Sequence, residues 1–239
     1  MLSAEMTQIV RAVHTTAGWE PTDRCLSLLG IDHLVISLAV KGEVTEQLWS
    51  SGETGASFDD LQFTLGEGPG PDALRTGLAT LEHDLNAVPT TKWPTFLPAM
   101  NHLPIQAVFS LPLAIGGITV GVLTASRRSP GHMTGQELED ALGLSAALAF
   151  QFLGGAATRF ADAGDAQPDG QLHRAVVHQA TGMISVQLAV PLGTALLRLR
   201  AHAYSHDRSI IDAAEDVVAR RLRLDDDTPE ADPSKETRG

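Results

Sequence analysis

The sequence predicts an α+β domain built on an antiparallel sheet with flanking helices, followed by a small all-α unit of three helices. Three observations support this fold class. Short runs of branched apolar residues between glycine-containing turns have the length of strands. Apolar residues at helical spacing precede and follow these runs. After a stretch of small and polar residues, only helical patterns occur up to residue 224.

Residues 1–155 contain all the strand-like segments. Two helical pieces are predicted within residues 2–30, because Gly18 and Pro21 interrupt the spacing. Gly116-Gly117 indicates a hairpin, since such a turn needs positive φ. Strands are predicted over residues 31–40, 44–50 (after a turn at Lys41-Gly42), 80–84 at a sheet edge, 105–113 and 118–126. Helices are predicted over residues 71–76 and 92–103, with a loop over residues 51–70.

The last helix of this region has a recognisable start. Thr134 and Glu137 have the spacing of a capping box, which predicts a helix running to about Leu153. Residues 156–170 are predicted as a linker, part of which can equally extend that helix.

Residues 171–224 are predicted to form a three-helix bundle, and residues 225–239 a disordered acidic tail. The third helix is expected to begin at Ser209, which with Asp212 has a capping spacing. The apolar faces predicted for the first two helices comprise Leu172, Val176, Gln179, Met183 and Val186, and then Leu196, Leu199 and Ala203.

The charge is unevenly distributed along the chain. The formal net charge of −12 by itself argues against a nucleic-acid partner, because a phosphate backbone repels an acidic surface. Residues 170–224, however, carry 7 basic and 4 acidic side chains, so that this segment has a net charge of +3. The acidity therefore lies in the first domain and the tail.

A cytoplasmic location is expected. Cys25 is the only cysteine, so neither an internal disulfide nor a thiolate metal site can form. The first residues lack the apolar run of a signal peptide, and no stretch approaches 18 uninterrupted apolar residues. We therefore expect no membrane association.

The C-terminal segment resembles the ANTAR domain of transcription antitermination regulators. About 50 residues are involved, in the order and spacing of that domain: His178-Gln179-Ala180-Thr181-Gly182-Met183, Ala195, Leu199-Arg200, Ala203-Tyr204, Arg208, Ala214 and Val217-Val218. The resemblance implies a three-helix bundle that binds paired hairpins in nascent RNA and acts as a homodimer. The family often has lysine where this chain has Thr181.

Candidate RNA-binding residues follow from this resemblance and from side-chain chemistry. Arginine bonds phosphate bidentately and stacks on unpaired bases, and Tyr204 shares a helical face with Arg200. Gly182 in mid-helix indicates close approach, either of another helix, which we favour, or of RNA. The candidate set comprises Arg174, His178, Gly182, Arg198, Arg200, Tyr204 and Arg208.

Residues 1–155 resemble a GAF domain of the kind that precedes ANTAR in actinobacterial proteins. The resemblance rests on Leu65-Gly66-Glu67-Gly68-Pro69, Asp72-Ala73, Trp93-Pro94, Ser110-Leu111-Pro112-Leu113 and Gly121-Val122-Leu123. It implies that this domain senses a signal or a small molecule, without naming the ligand. Gly70 stands where many relatives have a cysteine, so no covalently attached chromophore is expected and no cofactor is predicted.

Other chemistries find little support. The turn from Gly66 to Gly70 lacks the lysine and hydroxyl of a phosphate-binding P-loop. His202 and His206 have a metal-compatible spacing but no accompanying carboxylate motif, and no catalytic set occurs, so we expect neither a metal nor an enzyme. The alternative to an RNA-binding regulator is a ligand-binding or dimerisation module that acts through protein contacts alone.

Overall fold

The computed structural model describes residues 1–16, 20–40, 43–161, 174–206 and 208–224, and divides into two compact units, Met1–Arg174 and Ala175–Gly239. The turn at Lys41-Gly42, residues 162–170 of the predicted linker, Leu172 and the predicted tail lie outside the described residues.

The first unit is built on a five-stranded antiparallel sheet with the order β2-β1-β5-β4-β3. Every predicted strand is present, and Gly116 at the β4–β5 hairpin has a φ of 58°. The strands are β1 (His33–Val40), β2 (Glu43–Ser50), β3 (Thr80–Glu82), β4 (Ala107–Ile115) and β5 (Ile118–Arg127). This arrangement confirms the α+β class expected for the first domain.

In the described part of the first unit, six α-helices pack around this sheet. They are α1 (Ala4–Thr15), α2 (Asp23–Leu28), α3 (Glu53–Leu65), α4 (Pro69–Thr76), α5 (Phe96–Ala99) and α6 (Gly135–Ala161). The helix predicted over residues 92–103 is reduced to α5 and a 3-10 turn at Met100–His102. Pro94 and Pro98 explain this shortening, because proline lacks the N–H that a longer helix needs.

Helix α3 corrects the prediction of a loop over residues 51–70. It begins after Gly52 and ends at Gly66, whose φ of 67° is the left-handed conformation that terminates helices. Its buried face includes Asp59 and Gln62 as well as Phe58 and Phe63. Polar residues on a buried face break the apolar periodicity on which the prediction relied.

The first face of the sheet carries the main apolar core. Leu34 and Ile36 of β1 point into it together with Phe109 of β4 and Leu123 of β5. Helices α1, α2 and α6 cover this face, with side chains such as Leu144 fully buried. Burial of this kind stabilises the fold by about 1.5–3 kcal/mol for each large apolar side chain.

Helix α6 begins with the predicted capping box. The Glu137 backbone N–H donates to Thr134 Oγ1 at 3.2 Å, and the Thr134 N–H donates to Glu137 Oε2 at 2.7 Å. The helix continues past Leu153 to Ala161, so the first residues of the predicted linker are helical.

The described residues of the second unit form three helices that pack on one another: α7 (Ala175–Leu188), α8 (Leu192–Ser205) and α9 (Ile210–Val218). Leu196, Leu199 and Ala203 of α8 are buried as predicted. The face predicted for α7 is wrong, since Val177, Ala180, Thr181 and Ile184 are buried while Val186 is 84% exposed. In the described ranges, no helix is by itself long enough and apolar enough to cross a membrane.

Candidate functional site

The second face of the sheet is lined by buried polar side chains. Residues alternate between the two faces of a strand, so Val35 and Ser37 lie opposite the core residues Leu34 and Ile36. The polar residues on this face include Ser37, Ser110, Thr124, Ser126 and His33, all buried. A buried sheet face with so many hydroxyl groups is unusual, because unpaired polar groups are costly to bury.

Part of this polar face is a continuous row across the strands. Val35 is paired with Thr124, Thr124 with Ser110, and Ser110 with Thr80. The hydroxyls of Ser110 and Thr124 are 3.1 Å apart and hydrogen-bond to each other. We call the set His33, Ser37, Ser110, Thr124 and Ser126 the polar face.

Helices α3 and α4 cover the polar face. A Cβ at Gly55 of α3 would lie 3.2 Å from Val35 Cγ2 and 3.5 Å from His33 Cβ, so glycine lets this helix approach β1 closely. His33 Nε2 is buried and has no hydrogen-bond partner in the described structure. Burial, and then the nearby charge of Arg128, lower the pKa of His33. A buried ring nitrogen without a partner is a group that a ligand can satisfy.

The glycine-rich turn between α3 and α4 is held by Gln62. Its Oε1 accepts the Gly70 N–H at 2.7 Å, and a Cβ at Gly68 would lie only 2.8 Å from the same oxygen. Glu67 in this turn accepts the backbone N–H groups of Thr95 and Phe96 at 2.9 and 3.0 Å. The polar groups of this turn thus bond to other parts of the first unit.

At one end of this face three carboxylates lie beside a hydroxyl and an aromatic ring. We call this cluster the acidic recess: Ser37, Glu46, Asp59, Asp60 and Phe63. Ser37 Oγ donates to Asp59 Oδ2 at 2.8 Å. Burial raises the pKa of Asp59, although the charge of Arg174 and the bond from Ser37 oppose this rise. No local pattern in the sequence indicates the recess, because its members lie on three separate elements, β1, β2 and α3.

Arg174 occupies the acidic recess. Its side chain is fully buried, and its Nη2 lies 3.0 Å from Asp59 Oδ2 and 2.8 Å from Asp60 Oδ1. The prediction that Arg174 contacts RNA is wrong for this structure, because a buried side chain enclosed by carboxylates is not presented to another molecule. The structure thus separates it from the other candidate residues, all of which belong to the second unit.

Among the RNA-binding candidates, His178 and Gly182 lie on α7. Both are on the side opposite its buried face, together with the exposed Gln179. An added Cβ at Gly182 would meet no atom of the described structure within 4 Å. The favoured explanation for this glycine, close packing of another helix, is therefore wrong within the described residues.

Helix α8 carries three more candidates. Tyr204 is 55% exposed, and Arg198 and Arg200 are half-buried. Arg200 and Tyr204 are one turn apart on the same side, whereas Arg198 is about 160° around the helix from Arg200. The structure thus brings Arg200 and Tyr204 together and places Arg198 on the other flank.

Arg208 follows α8 and forms a network with α9. Its Nη2 lies 2.7 Å from Asp216 Oδ2, and Arg221 Nε lies 2.7 Å from Asp216 Oδ1. Hydrogen bonds from Arg208 and then Arg221 lower the pKa of Asp216. Arg208 is exposed, but an RNA phosphate would have to compete with Asp216 for its guanidinium.

Thr181 faces the interior of the second unit. Its side chain is buried, and Oγ1 donates to the Val177 carbonyl at 2.7 Å. A lysine at this position would have to extend past the helix to reach solvent.

The histidine pair with metal-compatible spacing lies at the end of α8, with His202 inside the helix and His206 directly after it. The rings of His202 and His206 stack with their centroids 4.1 Å apart. Throughout the ranges that the structure describes, no three His, Cys, Asp or Glu side chains form a group that could hold a metal ion.

Comparison with solved structures identifies the fold of the first unit. A GAF domain from an Acinetobacter phosphoenolpyruvate-protein phosphotransferase matches with a TM-score of 0.51 and 14% identity, over 70% of this chain and 100% of that one. The GAF domain of the Coxiella burnetii phosphoenolpyruvate-protein phosphotransferase gives 0.49 and 17%, over 64% and 95%. GAF-B of DevS from Mycobacterium smegmatis gives 0.41 and 16%, over 65% and 98%.

Comparison of the sequence with family models and with curated proteins identifies no family for this chain. No protein-family model matches the chain, and no curated protein matches it. At these identities the solved structures establish the fold alone. The first unit of this chain has the fold of a GAF domain.

Proposed function

We propose that this chain is a signal-responsive regulator of transcription antitermination. In this proposal the first unit senses a small molecule, and the second unit binds paired RNA hairpins in nascent transcripts. The proposal rests on the GAF fold of the first unit and on the resemblance of residues 171–224 to ANTAR domains.

One observation carries the RNA part of the proposal. Gly182 lies in the middle of α7, where glycine costs about 1 kcal/mol relative to alanine, yet an added Cβ would meet nothing within 4 Å. His178 and Gln179 are exposed beside it. A glycine without a structural reason, next to exposed polar residues, is expected where another molecule approaches the helix backbone.

Arg200 and Tyr204 are side chains of the kind that contact unpaired bases and phosphates in RNA loops. Unpaired bases stack on aromatic rings and on guanidinium planes, and arginine also bonds phosphate. These two side chains share one side of α8, and the ring of Tyr204 is exposed. Without Arg174, which belongs to the first unit, residues 175–224 carry 6 basic and 4 acidic side chains, and this net charge of +2 favours an anionic partner.

The sensing part of the proposal rests on the polar face. The unpartnered His33 Nε2 is the group of this face that a polar ligand would bond. The dimeric state implied by the ANTAR resemblance is part of the same proposal, since two second units would then meet two hairpins.

A mobility-shift titration of the full chain with a paired-hairpin RNA tests the RNA part. We expect Arg200→Ala to weaken binding about tenfold, the effect of one charged hydrogen bond, and to reduce the salt slope by about one. Arg24→Ala is the matched control, because Arg24 is an exposed arginine of the first unit whose side chain is 67% accessible. Equal affinities for the two variants would contradict the proposed RNA surface.

A second candidate is a module that acts through protein contacts without RNA. Exposed apolar side chains on the second unit favour it: Val186, Leu192 and Leu197 are 84%, 61% and 64% exposed. Sedimentation of wild type and Leu197→Ser distinguishes the two. Loss of self-association in the variant, together with no RNA binding by wild type, would favour this candidate.

A further inference from the structure

The acidic recess recognises a guanidinium group from two directions. Asp59 and Asp60 contact Nη2 of Arg174 at its edge, at 3.0 and 2.8 Å. The ring of Phe63 lies against its face, with Cζ 4.0 Å from the ring centroid. Carboxylates at the edge and an aromatic ring at the face are the two partners that suit a planar cation.

Arg174 fills the recess, but part of its guanidinium group makes no hydrogen bond to the described residues there. Both ion pairs use the same nitrogen, Nη2, whereas the buried Nε and Nη1 have no hydrogen-bond partner in the part of the chain that the structure describes. A buried donor without an acceptor opposes binding. Arg174 therefore binds in the recess less tightly than a guanidinium that bonds each of the two carboxylates through a different nitrogen.

The backbone explains the incomplete fit. The Arg174 N–H donates to both oxygens of Glu46, at 3.1 and 3.0 Å, and this contact fixes where the side chain enters. A free guanidinium compound has no such tether. It can rotate in the plane above Phe63 until separate nitrogens face Asp59 and Asp60.

The buried carboxylate also favours occupation of the recess by a cation. The side chain of Asp59 is only 1% accessible, and a buried carboxylate that loses its counter-ion is strongly destabilised. Departure of Arg174 is consequently much less unfavourable when another cation takes its place. Replacement of Arg174 by another cation is therefore favoured over loss of Arg174 from the recess without a replacement.

We propose that the acidic recess is a binding site for a small alkylguanidine, and that Arg174 occupies it in this structure as an internal ligand that the free molecule displaces. The site lies within the first unit and uses Asp59 and Asp60 for charge and Phe63 for stacking. The proposal rests on the sensing role given above to the first unit and supplies the chemical class of the ligand.

Displacement would release the chain at a defined point. Arg174 is the last residue of the first unit, and α7 begins at the next residue, Ala175. A ligand that replaces the Arg174 side chain also removes the restraint on the N–H that Glu46 accepts. The recess therefore couples ligand binding to the residue at which the chain enters the second unit.

Chemical rescue tests the proposal in the full chain, with ethylguanidine as probe and ethylamine as control at equal ionic strength. Arg174→Ala is expected to lower the thermal midpoint, and ethylguanidine to restore it saturably. Its affinity should exceed that of ethylamine about tenfold, because it makes one more charged hydrogen bond. If Arg174→Ala is unfolded in the absence of ethylguanidine, adding the compound is expected to restore folded protein, again in a saturable way.

The double variant Arg174→Ala/Asp59→Asn is the control, since it lacks both the cation and the buried charge. Rescue should be absent there. In wild type, ethylguanidine is expected to speed hydrogen exchange at the Arg174 amide, whereas ethylamine has little effect. No saturable rescue of Arg174→Ala, or equal rescue of both variants, would overturn the proposal. RNA affinity is measured separately, so failure here leaves that result unaffected.

Discussion

Replacement of Gly182 by alanine separates a structural from a functional role for this glycine. Gly182 lies eight residues into the 14-residue helix α7, and an added Cβ would have no neighbour within 4 Å. With no steric cost, alanine should stabilise the helix by about 1 kcal/mol, the difference in helix propensity between the two residues.

The same methyl group should harm RNA binding if RNA approaches the backbone there. Overpacking of a close contact costs about 1–3 kcal/mol, which corresponds to a weakening of about 5- to 150-fold. Gly182→Ala is thus expected to be more stable than wild type and to bind RNA more weakly. Few substitutions of an ordinary surface residue would produce this combination.

The matched control is Gly193→Ala in α8. Gly193 also has no atom within 4 Å of an added Cβ, but it is the second residue of its helix. We expect a gain of about 0.5 kcal/mol and unchanged RNA affinity.

Hydrogen exchange of the α7 amides measures stability, and a mobility shift measures affinity. A gain of 1 kcal/mol should slow exchange through local opening about fivefold. Faster exchange in Gly182→Ala would refute the inference that the space beside Gly182 is open. Affinity equal to that of Gly193→Ala would refute the role of Gly182 in RNA binding.

Two further predictions concern the first unit. The Cys25 thiol should react with a thiol reagent at pH 8 only after unfolding, since burial raises its pKa to about 11; rapid labelling of the folded chain would contradict this. Thr134→Ala should destabilise the first unit by about 1 kcal/mol in urea unfolding, because the cap at the start of α6 is lost, whereas Thr134→Ser should retain it. Equal losses in both variants would show that the hydroxyl is not the stabilising group.

Local signals in the sequence predicted much of the fold. The Gly116-Gly117 hairpin and the Thr134–Glu137 capping box each depend on residues close together in the chain, and the structure has both. The strands were predictable for the same reason, since their branched apolar residues and flanking turns are contiguous.

Helices α3 and α7 show where such signals fail. Asp59 and Gln62 are buried because tertiary partners satisfy them, and these partners are not apparent from the spacing. In α7 most positions are apolar or small, so several faces were plausible and the pattern indicated the wrong one.

Arg174 could not have been placed from the sequence. Its contact with Asp59 joins residues 115 positions apart, and nothing near Arg174 indicates a buried environment. An arginine next to a helical segment is ordinarily assigned to the surface. The fold, rather than the local pattern, decides that this arginine is enclosed while Arg200 remains beside Tyr204.

Binding of RNA by the full wild-type chain tests the central claim most directly. A mobility-shift titration with a paired-hairpin RNA, a single hairpin and an unstructured RNA of equal length should be made over a series of salt concentrations. The account predicts binding that weakens with salt and favours the paired hairpins. Equal binding of all three RNAs, or no binding at any salt concentration with or without ethylguanidine, would contradict it.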